Sequence, residues 1–194
     1  MKLVRLALVC LACAFLASPA AAVTAGFAPP GQSVGLGDVI AVDVVFGDLG
    51  DEIISAYDLD ITYDASILDA TGVIFTSALG DELFFEAFNA YDLGASGVVD
   101  LAQLSLLPDA VLDALQTGDS VHVATLVFDA VGVGATDLGF VFDEFNDVKG
   151  RDAAILPILA DTGRVVVEGV QTPIPEPSAA LLFLVGSLVL RRRS

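Results

Sequence analysis

Few residues of this sequence could carry out catalytic chemistry. The single histidine, His122, alternates with Val121 and Val123 in an apolar stretch, which is typical of a structural residue in a strand. It has no Ser or Cys partner at a recognisable turn, so the sequence does not support a catalytic triad. Carboxylate pairs that could hydrolyse a glycoside arise by chance among 26 acidic residues. We therefore expect a protein that is not an enzyme, with a carboxylate-based glycosidase as the catalytic alternative.

One acidic segment could offer oxygen ligands to a metal ion. Residues 143–147 read Asp-Glu-Phe-Asn-Asp and follow an apolar stretch. Calcium prefers such oxygens, but the glycine and the closing glutamate of a helix–loop–helix calcium loop are missing. An acidic turn is the simpler interpretation. The prediction is that there is no cofactor, and calcium bound by Asp143, Asn146 and Asp147 is the alternative.

Residues 55–64 could form an interaction face. Their side chains alternate between apolar and polar, which predicts a half-buried strand. The polar side carries Asp58, Asp60 and Thr62, and either a binding surface or a solvated strand face would have this pattern.

The tyrosines could stack on sugar rings. Tyr57 and Tyr63 share the apolar side of residues 55–64 and are expected in the core, so Tyr91 is the one tyrosine expected at the surface. We add Tyr91 to the possible interaction face, although a single ring makes a weak carbohydrate platform.

The candidate residues above lie in or between stretches of sequence that have the pattern of β-strands. They are separated by turns rich in Gly and Asp, and together they predict an all-β sandwich. The predicted strands cover residues 39–46, 55–64, 70–76, 83–91, 97–106, 121–131, 137–142 and 163–170. Residues 108–115 instead have helical spacing and predict one short helix that ends near Gly118.

The charge of the central region, residues 23–170, is strongly negative. It contains 25 acidic and three basic residues, which leaves 22 net negative charges. Such a surface repels nucleic acid and anionic lipid. The abundant apolar and β-branched residues argue against disorder, so this region is expected to fold around a core.

Residues 1–22 have the pattern of a signal peptide. Lys2 and Arg5 precede a short apolar run, and Ala20 and Ala22 supply the small residues for cleavage after Ala22. Cys10 and Cys13 are the only cysteines and lie within this segment. Lipidation at Cys13 is the alternative. The mature chain is otherwise expected to lack cysteine and therefore disulfides.

The C-terminal part has three consecutive features. Residues 171–178 form a proline-rich linker, residues 179–190 are apolar or small, and the chain closes with Arg191, Arg192, Arg193 and Ser194. Twelve helical residues span about 18 Å, which is short against a hydrocarbon core of about 30 Å. The segment 179–194 is predicted to be a hydrophobic helix that contacts the membrane at least transiently.

These features resemble a PEP-CTERM sorting signal. The resemblance rests on Pro175, Glu176, Pro177 and Ser178, followed by the apolar run and the arginines. It implies recognition by an exosortase, a membrane enzyme of Gram-negative bacteria that cleaves near the Pro-Glu-Pro sequence. The expected location is the cell envelope, cell surface or extracellular matrix, after export through the inner membrane.

The central region resembles a cohesin domain. Residues 37–44 are similar to the opening of that domain, residues 57–68 to its next strand and turn, and residues 121–128 to a late strand. The resemblance implies a nine-stranded jelly-roll β-sandwich, in the same superfamily as certain carbohydrate-binding modules. It also implies a dockerin-like partner contacted by Asp58, although Ala56 stands where the family has a partner asparagine.

Together these patterns predict four segments and one function. Residues 1–22 are the signal peptide, 23–170 the sandwich, 171–178 the linker and 179–194 the sorting helix. We expect an exported interaction module that binds another protein. The alternative is a carbohydrate-binding module that recognises exopolysaccharide or acts in polysaccharide catabolism.

Overall fold

The computed structural model describes residues 22–142 and 146–169, which form a sandwich of two β-sheets. In chain order the strands are β1 Val23–Ala28, β2 Gly31–Gly35, β3 Val39–Gly47, β4 Ala56–Thr62, β5 Leu68–Phe75, β6 Ala87–Asp92, β7 Val98–Ser105, β8 Ser120–Ala130, β9 Gly134–Val141, β10 Val148–Lys149, β11 Ile158–Ala160 and β12 Gly163–Glu168. Within the two described ranges, one α-helix, α1, spans Asp109–Leu115, and short 3₁₀ turns cover Ser77–Leu79, Glu82–Phe84 and Arg151–Ala153.

The two sheets differ in size. The five-stranded sheet has the order β11-β1-β3-β8-β5, and the seven-stranded sheet has the order β2-β12-β9-β4-β7-β6, with β10 paired to β4. All pairings between these strands are antiparallel except β1 with β11 and β2 with β12. β4 therefore lies inside the seven-stranded sheet, and β6 forms one of its edges.

The core fills the space between the sheets, because each strand turns alternate residues inward. β4 shows strict alternation: Tyr57, Leu59 and Ile61 are buried and the residues between them are partly exposed. The ring centroids of Phe46 and Tyr57 lie 5.9 Å apart, so aromatic contacts join the two sheets. Burial raises the pKa of Tyr57 far above its ordinary value, and its hydroxyl donates to Gln103 Oε1 at 3.1 Å.

The buried amide of Gln116 fastens α1 to the sandwich. Its Oε1 accepts from the backbone N–H of Ile54 at 2.8 Å, and its Nε2 donates to the carbonyl oxygens of Ile54 at 2.7 Å and Ala78 at 3.1 Å. Leu112 on α1 is also fully buried. The helix predicted at residues 108–115 is confirmed at Asp109–Leu115.

The β-sandwich prediction is confirmed, but the predicted count of nine strands is wrong. The described residues contain twelve strands. Two of the four strands that lie outside the eight stretches marked by the sequence pattern, β10 and β11, have two and three residues, which is too short to produce a recognisable alternation. Residues 23–35 also pair as β1 and β2, although the sequence pattern did not mark them as strands.

The strand predicted at residues 83–91 is wrong in its first half. Glu82–Phe84 forms a 3₁₀ turn, and β6 begins only at Ala87. The cause is local: the side chain of Asp81 accepts from the backbone N–H of Leu83 at 2.8 Å and caps the turn. Such a side-chain bond competes with extended structure, which apolar composition alone would favour.

Several predictions fall outside the described residues. These are the signal segment up to residue 21, the linker and tail from residue 170 onward, and residues 143–145. Within the two described ranges, no helix has the length and apolar character needed to cross a membrane.

Candidate interaction surface

The outer face of the seven-stranded sheet carries the residues that the sequence singled out on β4. Asp58, Asp60 and Thr62 are partly exposed and alternate with buried residues, so all three point away from the core. β4 pairs with β7 over its whole length, and β7 pairs with β6. The surface that surrounds these residues is therefore built from β4, β7 and β6, and we call it the outer face.

Three aspartates form a row across the outer face. Asp60 on β4 lies directly opposite Asp100 on β7, and Asp100 lies directly opposite Asp92 on β6. Directly paired residues on neighbouring strands point to the same side of a sheet, with the strands about 4.8 Å apart. We call these three residues the acidic row. Asp100 and Asp92 were not singled out in the sequence, because only the register places them beside Asp60.

The carboxylates of the acidic row affect one another. Partial burial raises the pKa of Asp100, and the negative charges of Asp60 and Asp92 raise it further. Asp60 has a compensating contact, because its Oδ2 accepts from Asn146 Nδ2 at 3.0 Å. The row is thus a concentration of negative charge, which disfavours the ionised form of its central carboxylate.

An apolar groove adjoins the acidic row. The pairing of Ala56 with Leu104 and of Leu104 with Phe88 places three apolar side chains in a second row, four residues along each strand from the aspartates. Leu104 and Phe88 are about half exposed. The groove has a volume of about 530 Å³. Its lining includes Ala56, Asp58, Phe88, Ala90, Ala102, Leu104, Asp147 and Lys149.

The outer face thus combines the two components of a protein-binding surface. Exposed apolar side chains supply area that a partner can bury, and the neighbouring charges discriminate between partners. Four residues along a strand correspond to about 13 Å between the apolar row and the acidic row. A partner segment would have to match both rows at that separation.

Tyr91 does not lie on the outer face with the β4 residues. It is 53% exposed, as the sequence analysis expected. However, it pairs with Leu101, which is fully buried, so its side chain points to the inner side of the edge strand β6. Its ring centroid lies 6.3 Å from that of Phe75 on the other sheet. The structure therefore separates Tyr91 from Asp58, Asp60 and Thr62.

The weak calcium candidates have other contacts. Asp143 lies outside the described residues. Asn146 is buried and donates to Asp60, while Asp147 Oδ2 lies 3.7 Å from Lys149 Nζ. The backbone carbonyl of Asp147 also accepts from the N–H of Asp58 at 2.9 Å. Among the described residues, no group of three or more His, Cys, Asp or Glu side chains could hold a metal ion.

His122 belongs to a small polar network on the other sheet. Its Nε2 lies 3.3 Å from Asp43 Oδ1, 3.0 Å from the carbonyl oxygen of Ala124 and 3.1 Å from Thr125 Oγ1. Thr125 Oγ1 in turn donates to Asp43 Oδ1 at 2.7 Å. The contacts join neighbouring residues of β8 and β3, which agrees with the structural role expected for this histidine.

Comparison with known proteins identifies the fold. No protein-family model matches the sequence, and no curated protein sequence matches it. Solved structures of cohesins do match. The seventh ScaB type I cohesin from Pseudobacteroides cellulosolvens is 16% identical with a TM-score of 0.59, over 80% of this chain and 97% of that one. A scaffoldin B cohesin from Acetivibrio cellulolyticus, solved with a dockerin, is 14% identical with a TM-score of 0.59, over 76% and 100%.

The matching structures also include an archaeal cohesin. A non-cellulosomal cohesin from the archaeon Archaeoglobus fulgidus is 11% identical with a TM-score of 0.55, over 77% of this chain and 92% of that one. The described residues thus have the fold of a β-sandwich domain. More particularly, the fold is that of a cohesin, as the resemblance of residues 37–44, 57–68 and 121–128 implied.

Proposed function

We propose that this chain is an exported interaction module that binds another protein through the outer face of its seven-stranded sheet. The observation that carries the proposal is the apolar groove at Leu104 and Phe88 beside the acidic row, on a fold whose solved examples include several complexes with dockerins. The proposed partner is a dockerin-like protein. Its interface would bury the groove and place polar or cationic groups against the acidic row.

A binding titration with matched variants tests this proposal. The purified chain is used to isolate candidate partners from the secreted proteins of the producing cells, and each candidate is then titrated by calorimetry. Leu104→Asp places a charge in the groove and should weaken binding by about tenfold or more. Val39→Asp is the matched control, because Val39 is an exposed apolar residue on β3 of the opposite sheet. If both variants lost affinity equally, or if neither lost affinity, the outer face would be excluded as the binding surface.

The proposal includes sorting at the cell envelope. Residues 1–22 would direct export, and Pro175 to Ser178 with residues 179–194 would be recognised by an exosortase-type enzyme. Deleting residues 175–194 should release the protein from the envelope fraction into the medium. A matched variant replaces only Arg191, Arg192 and Arg193 by Gln. If the truncated protein stayed in the envelope to the same extent, the sorting role would be wrong.

Carbohydrate binding is the competing function, and the exposure of Tyr91 is the observation in its favour. A single ring at the edge of the sandwich, beside Phe75, could stack on one sugar. Binding to a polysaccharide panel that is lost in Tyr91→Ala and kept in Leu104→Asp would favour this function. Binding to a protein ligand that is lost in Leu104→Asp and kept in Tyr91→Ala would favour the interaction module.

A further inference from the structure

Three consecutive large apolar side chains project into solvent between β5 and β6. Leu83 is 85% exposed, Phe84 73% and Phe85 79%. We call these three residues the apolar knob. Isolated exposed apolar residues are common, but a contiguous cluster with two aromatic rings is typical of a binding site. None of the three lines the groove described above, so the knob is a separate feature of the surface.

Hydrogen bonds at its base shape the turn that carries the apolar knob. Asp81 accepts from Leu83 through its side chain, and its carbonyl oxygen accepts from the N–H groups of Phe84 at 3.1 Å and Glu86 at 3.0 Å. The N–H of Asp81 donates to Glu86 Oε2 at 3.1 Å. The two residues thus close the base of the turn, and the three apolar side chains point outward from a fixed platform.

The conformation of Phe85 indicates that this residue contributes little to the stability of the fold. Its φ of 58° lies in the left-handed region, which bulky residues rarely adopt. Because its ring is also mostly exposed, the side chain gains little from burial to offset this strain. Backbone strain of this kind is concentrated at functional sites. A glycine would adopt this backbone conformation with less strain. The stability of the turn therefore does not explain why a phenyl ring stands at this position.

The charges around the knob restrict what can cover it. Its flanking residues Asp81, Glu82 and Glu86 are all acidic. In the described part of the chain, Lys149, Arg151 and Arg164 form ion pairs elsewhere, with Asp147, Asp113 and Asp137 among their partners. A second copy would bring the same carboxylates together, and anionic lipid would be repelled. A protein surface with positive charge around an apolar depression is complementary both to the exposed apolar side chains of the knob and to the acidic residues that flank it.

We propose that the apolar knob inserts into an apolar depression of a partner protein whose rim carries Lys or Arg side chains. The aromatic rings of Phe84 and Phe85 are the anchors, and Glu82 and Glu86 pair with the cationic rim. The proposal goes beyond the function of the outer face. The knob and the groove use different residues, so one contact can fail while the other persists.

Photocrosslinking from the knob tests this proposal in the full chain. The photoreactive residue p-benzoylphenylalanine replaces Phe84 in producing cells, and the same residue at Val39 is the matched control on the opposite sheet. We expect a protein adduct that is specific to position 84. Mass spectrometry should map it to an apolar surface flanked by Lys or Arg. An adduct with a second copy, an adduct with lipid, or no adduct above the control would overturn the proposal.

Titration of the identified partner supplies a second measurement. Phe84→Ser with Phe85→Ser should weaken binding by about tenfold or more, because the anchors are removed. Glu82→Gln with Glu86→Gln should weaken binding several-fold at about 0.05 M salt and by much less at about 0.5 M. Leu104→Asp tests the outer face separately. If neither pair of knob variants changed the affinity, the assignment of the knob as a contact would be wrong, even if Leu104→Asp abolished binding.

Discussion

Replacing Asp100 by asparagine should make the protein more stable. Asp100 lies between Asp60 and Asp92 in directly paired positions, so its removal as an anion eliminates two like-charge contacts. Each such cross-strand contact costs between about 0.2 and 1 kcal/mol. Because these side chains are partly solvated, we take the lower part of that range for each. The expected gain in the free energy of unfolding is about 0.5–1 kcal/mol.

The dependence on salt and pH identifies the cause of that gain. The Debye length falls from about 10 Å at 0.1 M salt to about 3 Å at 1 M, which is below the strand spacing of about 4.8 Å. The advantage of Asp100→Asn should therefore shrink at high salt. Burial and the two neighbouring carboxylates raise the pKa of Asp100 in the folded state. As the pH falls through this raised pKa, Asp100 becomes protonated in the folded protein and the repulsion from its neighbours is lost. The difference in the free energy of unfolding between the wild type and Asp100→Asn should therefore disappear at low pH.

Urea unfolding at neutral pH measures the effect, with Asp137→Asn as the matched control. Asp137 carries the same charge on β9 of the same sheet, but its Oδ1 accepts from Arg164 Nη1 at 2.7 Å. The same substitution should there leave stability unchanged or lower it by up to about 1 kcal/mol. Two results would contradict the acidic row described here. One is a lower stability of Asp100→Asn, and the other is a gain in stability that does not change with salt concentration or pH.

Three further predictions concern stability and are measured by urea unfolding. Gln116→Met should cost about 2–4 kcal/mol, because it leaves the backbone N–H and carbonyl of Ile54 buried without their partner; a loss below about 1 kcal/mol would contradict the role given to this amide. Phe128→Ala should cost about 3–5 kcal/mol, because its ring is fully buried between the sheets, and a small loss would show that the core closes over the cavity. Phe85→Gly should stabilise the protein by about 1 kcal/mol through relief of the left-handed backbone, and a destabilised variant would show that the exposed ring packs against the protein.

The sequence predicted a substantial part of the fold. Turns rich in Gly and Asp separated the strands, and most of the predicted strands agree with the structure within a few residues. The alternation in residues 55–64 correctly separated the buried Tyr57 and Leu59 from the partly exposed Asp58 and Asp60. The resemblance to cohesins implied the same fold as the solved structures that match. The prediction failed where a side chain forms a hydrogen bond with the backbone and so replaces the pairing between strands. Asp81 does this just before the apolar knob.

The candidate site was predicted less completely. Asp60 and Thr62 were assigned to an outward face from the alternation of one strand. The groove, formed where Leu104 and Phe88 meet, depends on the pairing of β7 with β6. Tyr91 was correctly expected at the surface, yet the register turns it to the inner side of the edge strand. The exposure of Tyr91 followed from the alternation that assigned the other two tyrosines to the core, whereas the face that each residue occupies on β6 and β7 did not follow from the sequence.

This division has a physical reason. The sequence by itself determined most of the strands, the sign of the charge and the outward direction of the aspartates on β4, because side-chain alternation is a local property of an extended backbone. Only the tertiary structure decided that Asp60, Asp100 and Asp92 lie in one row and that Leu83, Phe84 and Phe85 project from a turn. The row depends on register between strands distant in sequence, and the exposure of the knob depends on how the capped turn at Asp81 packs against the sandwich.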